Sequence, residues 1–373
     1  MRADELKYWV AFNRVPGLGR AKFMLLEKHF GHLSQAWASS PAALKAGGLD
    51  EKAVAAIVET RAGISPEAEM EQLAKLGIRA LIWHDETYPR RLKEIYDPPP
   101  VLYLRGALTT QDDWAITVVG TRRCTAYGKE AAEQIAGDLA RNRITIVSGL
   151  ARGIDTIAHQ AALNAGGRTI AVTAGGLDTV YPPENVRLAQ QTMERGALLS
   201  EHPPGVKPLA SFFPRRNRIM SGISMGTLVV EGDDGSGALI TANLALEQDR
   251  EVFAVPGSVF SPASRGTNRL IQEGAKLVLD ATDILEELNL TVAAHQMELR
   301  ETLQPDDKER DLLKYLSSEP THIDQVRRLS GQPMAQVSSA LAMLEIKGLV
   351  RQVGAMNYVL AREAQARYGV KVE

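Results

Sequence analysis

Ile116-Thr117-Val118-Val119-Gly120-Thr121-Arg122-Arg123 is a short apolar run that ends in glycine and continues into two arginines. Four other runs share the ending: Thr145-Ile146-Val147-Ser148-Gly149, Thr169 through Gly176, Thr227 through Gly232 and Glu251 through Gly257. Between them lie Ala126 to Arg141, Ile154 to Ala165, Asn185 to Arg195 and Leu239 to Gln248, which suit crossover helices. Strand alternating with helix predicts an α/β fold, an extended Rossmann-like doubly wound parallel sheet. All five strand ends then lie on one crest, where glycine lets backbone N–H groups approach a phosphate and helix N-termini attract anions. Arg122, Arg123, Arg152 and the run Arg215-Arg216-Asn217-Arg218 bring guanidinium groups to it, which suits a row of phosphates better than one small metabolite.

At 373 residues the chain has room for two or three domains. Its net charge is −2, so contact with nucleic acid has to come from a local patch. A single cysteine, Cys124, excludes an internal disulfide framework and a cysteine-rich zinc site; its neighbours Arg122 and Arg123 would lower its pKa. The start Met1-Arg2-Ala3-Asp4 does not read as a signal peptide, and no apolar run approaches the ~20 residues of a membrane span. A cytoplasmic protein without membrane contact is expected. His29 and His32 lack a third ligand nearby, so neither a metal nor another cofactor is expected.

Ahead of the strand pattern, residues 1–62 read as a small helical domain. Val15-Pro16-Gly17-Leu18-Gly19 resembles the hairpin of a helix-hairpin-helix (SAM-like) unit, with a weaker turn at Gly47-Gly48-Leu49. The α/β domain is expected over 67–290, with strands at Ile78 to Trp83 and Val101 to Arg105, and Ala293 to Gln304 reads as a linker. Over 305–362 the rhythm is helix, helix, helix, wing: Asp307 to Leu316, Ile323 to Leu329, Met334 to Lys347, then a hairpin from Val350 to Leu360, the order of a winged-helix domain. Its third helix carries Gln336, Ser338 and Ser339 but only Lys347 as a base, so docking a partner suits it at least as well as reading DNA.

With these residues assembled, the chain resembles the DprA/Smf family of DNA-processing proteins. The resemblance runs through Tyr88-Pro89, Pro99 to Gly106, Val119-Gly120-Thr121-Arg122 to Tyr127-Gly128, and Ser148 to Asp155. It continues through Leu177-Asp178, Tyr181-Pro182, Phe213-Pro214-Arg215-Arg216-Asn217-Arg218-Ile219, Ser236 to Ala242, Val255-Pro256-Gly257 and Gly266 to Val278. It implies a protein that binds single-stranded DNA, protects it, and loads the RecA recombinase during natural transformation. It also implies a homodimer, with Asn268, Ile271 and Leu277 at the contacting positions.

On that reading Gly120, Thr121, Arg122 and Arg123 form one anion-binding turn, with Tyr127 as a stacking face and Gly128 at the helix start. Ser148, Gly149, Ala151, Arg152 and Gly153 form a second turn, in which Asp155 caps a helix or orients an arginine and His159 is structural. Arg216 and Arg218 are expected on phosphate with Asn217 beside them, and Ser236-Gly237 makes a further anion-binding turn. No catalytic residue is assigned. The alternative is a nucleotide-binding enzyme related to the nucleotide phosphoribohydrolases. Against it, Thr241 stands where that group's P-G-G-x-G-T-x-x-E loop has its glutamate, there is no G-x-G-x-x-G fingerprint, and no Walker A sequence is present.

Overall fold

A computed structural model describes residues 3–290, 305–317, 319–347, 349–354 and 356–361. The chain divides into two compact units, Met1–Leu288 and Asn289–Glu373.

The first unit opens with six helices: α1 (Ala3–Asn13), α2 (Arg20–Phe30), α3 (Leu33–Ala38), α4 (Pro41–Ala46), α5 (Glu51–Gly63) and α6 (Pro66–Lys75). Ser40, Asp50 and Ser65 cap α4, α5 and α6 with their side-chain oxygens, each satisfying an amide that the first turn leaves free. The front is not separate from the sheet. Trp9 of α1 stacks on Phe23 and meets Trp83, just past β1 (Arg79–Ile82), edge-on at 5.4 Å. Asn13 donates to the Tyr103 hydroxyl at 3.2 Å and to the Glu201 carbonyl at 3.1 Å. Helical front and sheet therefore share one apolar core.

After β1 come α7 (Arg90–Glu94), β2 (Val101–Gly106), β3 (Ala115–Val119), α8 (Ala126–Arg141), β4 (Thr145–Ser148), α9 (Ile154–Asn164), β5 (Thr169–Val172), α10 (Val186–Arg195) and β6 (Ala197–Ser200). Then follow α11 (Phe212–Ile223), β7 (Gly226–Val229), α12 (Gly237–Glu247), β8 (Glu251–Ala254), α13 (Arg265–Gln272), β9 (Lys276–Leu277) and α14 (Ala281–Glu287). The nine-stranded sheet has the order β1-β2-β6-β5-β4-β3-β7-β8-β9. From β6 to β9 every neighbour is parallel, while β2 and β1 add an antiparallel edge. The expected strands and crossovers are present. β6 and β9 lie outside the glycine-ended set; β9 is too short for a periodic signal. Phe213 to Ile219, which holds the run Arg215-Arg216-Asn217-Arg218, lies within α11, whose first turn accommodates Pro214 because the N–H it lacks would be unpaired there anyway.

Register aligns Val119 with Val229 and Val229 with Ala254, so the C-terminal ends of β3, β7 and β8 share one edge. The winding proceeds from β3 through β4 and β5 to β6 on one side, and from β7 to β9 on the other. The direction reverses between β3 and β7, and a doubly wound sheet opens a ligand crevice at such a switch point.

The second unit contains α15 (Asp307–Leu313), β10 (Thr321–His322), α16 (Ile323–Ser330), α17 (Met334–Ile346), β11 (Val350–Gln352) and β12 (Asn357–Leu360). Its sheet order is β10-β12-β11, and Leu312, Val326, Val337, Leu341 and Leu344 fill its own core. This is the expected winged-helix order with one added short strand, β10. The linker expected at Ala293 to Gln304 lies outside the described residues.

Candidate nucleic-acid interface

A cleft of about 760 Å³ opens at the switch point, walled by the β3 turn at Gly120 to Arg123, by Phe213 and Asn217 of α11 and by Ser236 to Thr241. Arg122 and Arg123 stand exposed on its rim. Among the described residues neither guanidinium has an ion pair or hydrogen bond; Arg122 lies over the Phe213 ring at 5.4 Å, its only contact of this kind. A cation parked on an aromatic face is held in place with its donors free, which suits phosphate.

Several expected contributions to this site change in the fold. Four amides of the two glycine turns, those of Thr121, Arg123, Gly149 and Ala151, are occupied. Thr121 N–H donates to the Glu231 carbonyl at 2.7 Å, and Gly149 and Ala151 N–H donate to one Asp155 carboxylate oxygen at 3.0 and 3.3 Å. The chain thus supplies its own acceptors where phosphate was expected. The Thr121 hydroxyl accepts from Arg123 N–H, and the Ser148 hydroxyl, fully buried, donates to the Val118 carbonyl.

The glycines likewise serve internal contact. A Cβ at Gly120 would lie 2.5 Å from Ile154, one at Gly149 would meet the Arg216 guanidinium, and one at Gly128 the Glu231 carboxylate. Gly153 has φ +74° and lies against the Thr121 carbonyl, wedging the β4 turn against the β3 turn. Gly237 alone of this set has open space around it, at the start of α12, where the Ser236 hydroxyl caps Ala238 N–H.

Arg216 and Arg218 do not reach the crest as free clamps. Arg216 is buried, with its guanidinium donating to the Gly149 and Val172 carbonyls and to Asn217 Oδ1. It braces the ends of β4 and β5 from beneath, and burial pulls it down to about 10 against the attraction of Asp155. Arg218 pairs with Glu201 at 2.8 Å and donates to the Asp97 carbonyl at 3.0 Å. Asn217 is buried beside Arg216. Three arginines in four residues on a helix point in different directions, because each residue turns about 100°. Arg152 is exposed and paired with Glu184, and Tyr127 is half-exposed with its hydroxyl on the Pro256 carbonyl at 2.6 Å.

His159 is structural, as expected, whereas Asp155, among the described residues, neither caps α9 nor hydrogen-bonds an arginine and holds the turn amides of Gly149 and Ala151 instead. Burial raises the Asp155 carboxyl, opposed by Arg216 and the two amides. His159 is buried, with Nδ1 2.6 Å from the Thr169 hydroxyl, and burial holds it down to about 3. The Cys124 expectation is reversed: burial raises its thiol, and Glu231 adds to the rise.

Glu231 itself was missed. It is buried and accepts from Thr125 N–H at 2.8 Å and from the Thr125 hydroxyl at 2.7 Å, which sets the start of α8 behind Arg122. Its only trace in the sequence is a carboxylate closing an apolar strand run. Thr241, buried on the cleft wall, has an unpartnered hydroxyl.

In the second unit Lys347, the base expected on the third helix, is the C-cap residue just past α17 and pairs with buried Glu309 at 2.5 Å. Gln336, Ser338 and Ser339 are exposed beside Met334 and Met343, so this face is neutral. Near the sheet edge, Asn268 is turned inward, exchanging two hydrogen bonds with the Gly257 backbone. Ile271 is partly packed on the core, and Leu277 is exposed on edge strand β9.

The family model described as DNA recombination-mediator protein A matches residues 79–289, and that of the DprA winged helix domain matches residues 296–356. Protein Smf of Synechocystis sp. is 36% identical over 395 residues, covering 96% of this chain and 99% of its own. The structure of DNA processing protein A from Streptococcus pneumoniae matches with a TM-score of 0.66 at 37% identity, over 75% of this chain and 97% of that one. The protein of the same name from Helicobacter pylori, whose structure was described for its single-stranded DNA binding mode, matches with a TM-score of 0.51 at 31% identity, over 57% of this chain and 95% of that one.

Proposed function

The chain belongs to the DprA/Smf family of DNA-processing proteins, and from that premise we propose that its crest binds single-stranded DNA, shields it and passes it to the RecA recombinase during transformation and recombination. The observation that carries the reading is the pair Arg122 and Arg123, exposed and unpaired at the switch-point cleft. The Helicobacter relative's DNA binding supports it. Phosphate contact falls to Arg122 and Arg123 with the Gly237 turn, while Gly120, Gly149, Gly153, Asp155 and Arg216 hold these groups in place. The protein works in the cytoplasm as a homodimer through the β9 edge, and residues 1–62, 67–290 and 305–362 are its three parts.

The reading is non-catalytic. Asp155 and Glu231, the buried carboxylates nearest the cleft, are both taken up by backbone amides, Glu231 also by the Thr125 hydroxyl. Thr241 offers a hydroxyl where a hydrolytic relative has an acid. Free base released from nucleoside monophosphates in proportion to protein would overturn this and favour the phosphoribohydrolase alternative.

Titration of labelled oligonucleotides against salt tests the binding. Arg122→Ala should cost about 1.5–3 kcal/mol, one charge-assisted contact, and make the salt slope shallower by about 0.7. Arg310→Ala, in the second unit, should leave binding unchanged. Equal affinity for duplex, or intact binding in a folded Arg122→Ala variant, would refute the assignment.

A further inference from the structure

The loop between β8 and α13 carries the most exposed large apolar side chain among the described residues of the first unit, Phe260. Val259 is 77% and Phe260 92% exposed. The backbone beneath these side chains is tightly tied. Phe260 N–H donates to the Ser258 hydroxyl at 3.3 Å and Ser261 N–H to the Ser258 carbonyl at 3.0 Å, closing a tight turn with Phe260 at its tip. Asn268 clamps the base of the loop through both backbone groups of Gly257, and a Cβ on Gly257 would strike the buried Ser264 hydroxyl. A turn whose backbone is held this firmly loses little further backbone entropy when the ring at its tip is covered.

The loop belongs to the crest. It leaves the C-terminal end of β8, two strands from β3 and hence about 10 Å away. The Tyr127 hydroxyl ties it to the start of α8 at Pro256, and Gly232 N–H donates to the Ala263 carbonyl at 2.8 Å, joining it to the neighbouring β7 turn. Between Val255 and Ser264 the loop itself carries no charged side chain, so the face of a base is the group its tip can hold.

We propose that Phe260 is a stacking platform for a base of the single strand whose phosphates lie on Arg122 and Arg123, extending the footprint to the β8 end of the crest. The inference rests on the crest reading. Base–aromatic stacking tolerates any base, in keeping with binding through phosphates rather than sequence.

Fluorescence anisotropy with the full-length protein and a labelled oligothymidylate, over a series of salt concentrations, tests it. Phe260→Ala should weaken binding about 5- to 100-fold with an unchanged salt slope, since no charge is removed, and Phe260→Trp should restore it. Arg122→Ala in parallel should lower both affinity and slope. If Arg122→Ala weakens binding and Phe260→Ala does not, stacking is refuted and the crest stands. If neither variant weakens binding, the crest reading itself has failed. A Phe260→Ala protein with wild-type DNA affinity but a changed mass by light scattering would assign the loop to self-association and overturn the proposal.

Discussion

Replacing Gly153 and Gly237 in turn by alanine separates a glycine that the fold needs from one that a ligand needs. At Gly153 the backbone has φ +74° and ψ −128°, a conformation that costs a side-chain-bearing residue about 1–3 kcal/mol. The added Cβ also meets the Thr121 carbonyl and lies 2.7 Å from the Arg122 carbonyl carbon. Both are backbone atoms of the opposing turn, which cannot rotate away, so overpacking adds about 1–3 kcal/mol. A combined loss of about 2–6 kcal/mol is a large part of a typical domain's stability. Because Arg122 rides on the turn that must yield, DNA affinity should fall as well. Gly237 presents the reverse case: nothing lies within 4 Å of its added Cβ, and it opens α12. Alanine there should be neutral or stabilise by up to about 1 kcal/mol, yet weaken DNA binding if a phosphate comes down on that turn. Urea unfolding followed by tryptophan fluorescence, with oligonucleotide titration of each folded variant, reads both effects. A Gly153→Ala protein with wild-type midpoint and affinity would refute the wedged-turn argument.

His159 should make stability fall with pH. Its folded pKa, about 3, lies below the ordinary 6.5, so below pH 6.5 the unfolded chain binds a proton that the fold refuses. The stabilisation present above pH 6.5 shrinks by about 2 kcal/mol at pH 5 and continues to fall toward pH 3. An unfolding series in which His159→Asn shows the same loss between pH 7 and 5 would refute this. At the β9 edge, Leu277→Glu should give a folded monomer, since Leu277 is exposed and its charge would meet its own copy across a two-fold axis. Light scattering showing equal masses for the variant and the parent would reject that interface.

The alternation of strand with helix and the glycine-ended crest were legible along the chain because β-branched runs, glycine ends and amphipathic spacers are local signals with fixed periods. The neutral character of the winged helix was legible for the same reason, since it depends on composition. What each crest residue does was not legible. Arg122 and Arg216 look alike in sequence; one stands free over Phe213 and the other is buried under β4 and β5, because a helix spaces neighbouring side chains around its axis while a strand turn presents them together. Gly149 and Gly153 announced close approach correctly, but whether the approaching group was a phosphate or the chain's own guanidinium and carbonyl depended on which distant segment folded above them. Asp155 and Glu231 claimed amides that phosphate could have used, and only the juxtaposition of α9 with β4, and of β7 with β3, decided that. Local pattern determined where the backbone turns; long-range packing determined which donors at those turns remain free.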